Sequence, residues 1–138
     1  MDKEKKETLL YQSTGLFLPR KFQDFLDIYH VGNDNTTFYI TNWTIMHFLS
    51  GVLIAYILSL YKYKLTKQQI FIIAFVIHTG WECWQIFVDI VTFHKPKYQS
   101  NDFVDSRTID TLRGKLDVIV DTIAFMLGVS LYVYLKKL

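Results

Sequence analysis

Residues 35–61 form a run of 27 without an Asp, Glu, Lys or Arg. Three apolar stretches, residues 40–61, 70–93 and 116–135, are 22, 24 and 20 residues long. A helix needs about 20 residues to cross the hydrocarbon core of a bilayer, so each stretch predicts a membrane-spanning helix. Trp43 near the start of the first and Tyr61 near its end suit interfacial anchors. The link at 62–69 is only eight residues, which predicts an antiparallel hairpin of the first two spans. Before them, Phe22, Phe25, Leu26 and Tyr29 recur at i, i+3, i+4 and i+7 behind Pro19. That spacing predicts an amphipathic helix over 19–30, lying in the interface or capping the bundle from outside. Gly32, Asn33, Asp34 and Asn35 mark a turn over 31–37. The connection at 94–115 is polar and contains Pro96 and Asn101; its part after Ser106, a suitable N-cap, is expected to be helical. The fold expected is an all-α integral membrane protein, one membrane domain over 1–138, with three transmembrane helices (up-down-up) and an N-terminal interfacial helix.

Composition alone would miss this. The chain has 138 residues, 51% hydrophobic and 20% charged, and a mean hydropathy of +0.17, close to soluble proteins. The distribution decides: only Glu82, Asp89, Asp117 and Asp121 are charged within the three stretches. Basic residues gather at their ends, as Lys62, Lys64 and Lys67, Lys95 and Lys97, Arg113 and Lys115, Lys136 and Lys137. Cations flank a bilayer in this way, their stems snorkelling to the headgroups. The bilayer is therefore the expected partner, with a homo-oligomer as a further candidate. No basic stripe suggests nucleic acid. Cationic residues are similarly frequent on both sides, and orientation leans only slightly to a cytosolic short link. A single Cys83 allows no intrachain disulfide. Residues 1–7 are polar, and no cleavable leader is expected.

The polar residues inside the spans carry the candidate chemistry. His78, Glu82, Gln85 and Asp89 stand at i, i+4, i+7 and i+11, one stripe of a helix; Asp117 and Asp121 share another face, and His47, Ser50, Gly51 and Ile54 a third. A charge at mid-bilayer costs at least about 2.5–3.5 kcal/mol on insertion scales. At about 1.5 Å per residue from the side of the long connection, Asp117 lies within about 2 Å of the surface, Asp89 about 6, Asp121 about 8, His47 about 10, Gln85 about 12 and Glu82 about 16 Å deep. His78, at about 22 Å by the same count, is read as a packing histidine. The expected binding set is His47, Glu82, Gln85, Asp117 and Asp121, with Arg107 from the connection and Arg113 and Lys115 at its mouth. His47, Glu82 and Asp121 are the candidate ligands of a divalent cation, and Glu82 or Asp121 the candidate catalytic base. The competing reading is polar glue, in which these groups only fix helix packing. Gly51, Gly80 and Gly128 suit close helix approach, and Trp81 and Trp84 packing. No GxxxxGK, GxSxG, HExxH or TVGYG motif occurs. Two glycosylation sequons, at Asn35 and Asn42, are short patterns, and Asn42 lies too close to the membrane for an acceptor.

Three segments together resemble the VanZ-like and YjdF-like bacterial membrane proteins. They are His47-Phe48-Leu49-Ser50-Gly51, Trp81-Glu82-Cys83-Trp84-Gln85, and Asp117 and Asp121 followed by Gly128. The resemblance covers about residues 42–135 and implies an integral membrane protein with an envelope-related role; it supplies no substrate, and such proteins usually have more spans. Three function classes follow: a protein binding a cation, proton or polar headgroup; a metal-dependent membrane hydrolase or transferase acting on a lipid-linked substrate; and a structural or assembly subunit. Sidedness reporters at Thr66 and at the C-terminus are expected on one face of the membrane, and one at Asn101 on the other. Thr66 and Asn101 on the same side would overturn the three-span arrangement.

Overall fold

The computed structural model describes residues 19–33, 35–61, 63–92 and 112–137. In chain order they form α1 (Arg20–Leu26), β1 (Tyr29–Val31), β2 (Ile40–Thr41), α2 (Asn42–Ser59), α3 (Lys67–Thr92) and α4 (Leu112–Leu135). Among the described residues, three helices are long and apolar enough to cross a membrane: Asn42–Ser59, Lys67–Val88 and Leu112–Leu135.

Local chemistry sets the helix starts. Thr41 caps α2: its hydroxyl accepts from the Trp43 N–H at 3.2 Å, while its own N–H donates to Thr44 Oγ1 at 3.4 Å. Thr66 and Gln69 form the same reciprocal box before α3, with the Gln69 N–H on Thr66 Oγ1 at 3.2 Å and the Thr66 N–H on Gln69 Oε1 at 2.9 Å. Each box satisfies two backbone donors that a helix start leaves open. For this reason α3 begins at Lys67, ahead of the apolar stretch that starts at Ile70. Likewise α4 begins at Leu112, so residues 112–115 belong to the third helix and not to the polar connection. Residues 94–111, with Pro96, Asn101, Ser106 and Arg107, lie outside the described residues.

The first and last of the long helices approach most closely. A Cβ on Gly51 of α2 would run into the Phe125 carbonyl of α4, and one on Gly128 of α4 into the Phe48 carbonyl of α2. Each helix thus presses a glycine onto the other's backbone, the packing that small residues allow in membrane helices. Contacts then ascend together along both helices: His47 meets Asp121, and Ser59 meets Tyr132. Against α3 the order reverses, with His47 beside His78 and Ala55 clustered with Ile70. Ala55, Ile70, Ala74, Phe125, Val129 and Val133 make the apolar core towards the short link. Outward faces are apolar as well: Ile119, Ile123, Leu127 and Leu131 are exposed at every fourth position of α4, as are Leu49, Leu53 and Ile57 of α2. Contiguous exposed apolar surface of this extent marks a protein or membrane contact.

Two expectations for the N-terminal part change. The helix spans Arg20–Leu26 and stops short of His30, and the all-α expectation misses an antiparallel pair, β1 with β2. The cause is anchorage to the start of α2. The Asn42 amide donates to the Phe25 carbonyl at 2.8 Å, the Trp43 indole N–H to Asp27 at 2.8 Å, and the Asn42 N–H to the Ile28 carbonyl at 3.2 Å. These bonds draw residues 25–28 against α2 and leave 29–31 extended. Gly32, at φ 77°, then opens the turn; few residues without its freedom adopt that angle. Leu26 is buried, whereas Phe22 and Phe25 are exposed.

The glycine crossing gives a direct test. Gly51→Ala places a methyl against backbone that no side-chain rotation relieves, and is expected to cost about 1–3 kcal/mol of stability in detergent. At Gly80 nothing lies within 4 Å of the place a methyl group would take, so alanine there should be tolerated or add up to about 1 kcal/mol of helix propensity. Thermal or denaturant unfolding of both variants measures the difference.

Candidate functional site

The glycine crossing decides what meets beyond it. His47 lies one turn before Gly51, and Asp121 one turn before Phe125, the residue Gly51 touches. Their side chains meet, with His47 Nε2 at 3.2 Å from Asp121 Oδ2. On the other edge of the ring, His47 Nδ1 lies 3.2 Å from His78 Nε2 on α3. His78 Nε2 is in turn 3.4 Å from Glu82 Oε1, one turn along the same helix. The result is a continuous line, Asp121–His47–His78–Glu82, across three helices. His78, Glu82, Gln85 and Asp121 are each more than nine-tenths buried.

One stripe of α3 explains how the site joins the core. Ile70, Ala74, His78, Glu82, Gln85 and Val88 are its buried residues among those described. The stripe is apolar beside the short link and turns polar at His78. Phe125 marks the boundary: it belongs to the apolar core and also carries the His78 ring, with centroids 4.5 Å apart. The two imidazoles meet edge to face, 5.3 Å between centroids and 71° between planes. Hydroxyl groups of the spans behave differently. Ser50, Thr122 and Ser130 each donate to the carbonyl four residues back on their own helix, so they need no partner across the bundle.

The expected site residues separate into two groups. His47, Glu82 and Asp121 come together, and Gln85 lies buried on the same α3 stripe. Asp117 is instead turned towards the β1–β2 hairpin and accepts from the Tyr39 hydroxyl at 2.8 Å. Arg113 is not at the mouth of the cluster. Its guanidinium donates to the Asn33 carbonyl at 2.9 Å, to the Thr36 carbonyl and to the Tyr29 hydroxyl at 2.8 Å. It also lies 3.9 Å over the Tyr39 ring, so it ties the hairpin to α4. Lys115 is exposed. Arg107 lies outside the described residues, as does the side chain of Asp89.

His78 is the residue that sequence reasoning undervalued. It sits in the middle of the line, and His47, His78 and Glu82 each offer a donor atom within 4.8 Å of the others. The helical spacing of His78 and Glu82 was the available signal. A depth count sets it aside because such a count assumes level helix ends, whereas His47, seven residues into its stretch, meets His78, fifteen residues from the end of its own. No protein-family model, curated protein or solved structure matches the chain.

The His47–Asp121 contact is testable by itself. In a double-mutant cycle of His47→Ala and Asp121→Ala, unfolded in detergent, the coupling is expected at about 0.6–1.7 kcal/mol, the range of interhelical polar contacts. Strictly additive effects would show that the two side chains do not interact.

Proposed function

We propose that the chain is a multi-pass integral membrane protein, crossing the bilayer three times in up-down-up order, that binds a cation in the polar half of its bundle. The bilayer is the partner that its exposed Leu, Ile and Phe side chains fit. The observation that carries the reading is the line of two imidazoles and two carboxylates, drawn from three helices, with His78, Glu82 and Asp121 buried and His47 partly so. Carboxylates in a membrane are costly enough that function is the default explanation. The spacing favours a cation or a proton over a lipid headgroup. Successive polar atoms stand 3.2–3.4 Å apart, close enough for one ion or a shared proton to bridge neighbours and too close to admit a headgroup between them. The resemblance to VanZ-like and YjdF-like proteins supports the membrane class and bears on no ligand. In this reading α1 and the hairpin lie at the interface, over the polar end of the bundle.

The test is thermal unfolding of purified protein in detergent against Na⁺, Mg²⁺, Ca²⁺, Mn²⁺ and Zn²⁺. At least one cation is expected to raise Tm in a saturable manner, and Glu82→Gln to remove the rise. A Tm indifferent to every cation would leave the cluster as helix glue and the protein as a structural subunit.

A further inference from the structure

We propose that the polar line is a four-coordinate transition-metal site of the Zn²⁺ class, with Asp121 as a positioning residue behind it. His47 Nδ1, His78 Nε2 and one Glu82 carboxylate oxygen are the three protein ligands, and a single oxygen donor such as water takes the fourth position. The inference rests on the cation-binding reading of this site and gives it a metal class, a ligand set and a geometry.

The distances carry it. Zinc binds imidazole nitrogen and carboxylate oxygen at about 2.0–2.2 Å in tetrahedral geometry, which sets ligand atoms about 3.3–3.5 Å apart along each edge. The His47 Nδ1–His78 Nε2 and His78 Nε2–Glu82 Oε1 separations are 3.2 and 3.4 Å. All three donors lie within 4.8 Å of one another. A hydrogen-bond account fits less well. His78 Nε2 faces both His47 Nδ1 and Glu82 Oε1, yet one ring nitrogen has a single proton or a single lone pair to offer. One ion facing all three atoms would engage each of them, and the two edges that meet at His78 Nε2 have the length such a site requires.

The surroundings agree with the donor set. Two imidazoles select a borderline transition metal over Mg²⁺ or Ca²⁺, which prefer all-oxygen shells. Asp121 engages the far nitrogen of His47, at 3.2 Å. A carboxylate there holds the proton on Nε2, turns the Nδ1 lone pair towards the metal and fixes the ring plane. His78, 3% exposed, holds its Nε2 at the centre of the cluster, facing both His47 Nδ1 and Glu82 Oε1.

The experiment is titration of the full-length, chelator-stripped protein in detergent with Co²⁺, followed by displacement with Zn²⁺. Four-coordinate Co²⁺ has an intense visible absorption, six-coordinate Co²⁺ a faint one. One equivalent is expected to give the intense spectrum, and Zn²⁺ to abolish it. His78→Phe and Glu82→Gln should lose it, with far-UV helicity confirming that they fold. Asp121→Asn should keep the spectral shape while binding weakens about 10–100-fold, and Asp121→Glu should recover part of the loss. A faint, six-coordinate spectrum from the unmodified protein overturns the inference. So does a folded His78→Phe with unchanged spectrum and affinity, or an Asp121→Asn whose spectral shape changes, which would make Asp121 a ligand. Saturable Na⁺, Mg²⁺ or Ca²⁺ binding that needs Glu82, without four-coordinate Co²⁺, would sink this inference and spare the cation-binding reading. No binding of any cation would sink both.

Discussion

The bundle depends on two glycines pressed against each other's helix. Gly51 and Gly128 remove the side chains that would otherwise hold α2 and α4 apart, and each faces a carbonyl of the opposite helix. Inside a membrane there is little hydrophobic drive for helices to associate, because lipid tails are as apolar as leucine. Close packing and polar contacts must hold them instead. The glycine crossing provides the first and sets up the second: with the backbones this near, His47 and Asp121 meet one turn away, and α3 needs only to bring His78 alongside. The polar line is thus a geometric consequence of the crossing.

Helix glue accounts poorly for this arrangement. Each carboxylate brought into the bilayer costs about 2.5–3.5 kcal/mol on insertion scales, whereas an interhelical polar contact returns about 0.6 kcal/mol on average and at most about 1.7. Ser59 with Tyr132 shows the cheaper alternative, two hydroxyls 2.9 Å apart between α2 and α4. A protein that needed only adhesion has that option along the whole seam. Ionisable groups are instead concentrated at one level, on three helices. A bound cation changes the balance, since it neutralises the carboxylates and replaces long hydrogen bonds with metal–ligand bonds.

Much of the fold was legible because its signals are one-dimensional. Span length, charge-free runs, flanking lysines and the helical spacing of His78, Glu82 and Gln85 can be counted along the chain, as can the glycines. What escaped depends on pairings between distant residues. The aromatic spacing of Phe22, Phe25, Leu26 and Tyr29 is helical, but Tyr29 belongs to a strand because Thr41 is there to pair with it, as Ile40 pairs with Val31. Arg113 resembled a cation at the mouth of a site, yet the carbonyls of Asn33 and Thr36 had already claimed it. His78 looked too deep because residue counts measure depth only when helices end level and stand upright.

The hairpin gives those unread pairings a role. The first turns of α4 extend past the start of the polar line, and Arg113 and Asp117 stand there, bonded to Tyr29, Asn33, Thr36 and Tyr39. At its other end the hairpin is stitched to α2 through Asn42, whose Oδ1 accepts from His30 Nε2 at 2.6 Å and whose side-chain amide donates to the Phe25 carbonyl. It therefore bridges α2 and α4, the two helices that the glycines hold together, on the side from which Asp121 and His47 would be reached. The one arginine it engages among the described residues is already bonded, so the hairpin brings that cation no closer to the carboxylates. A cap with an unbound arginine would compete with any metal for Glu82 and Asp121. One with its arginine locked onto backbone carbonyls braces the helices and keeps that charge away from Glu82 and Asp121.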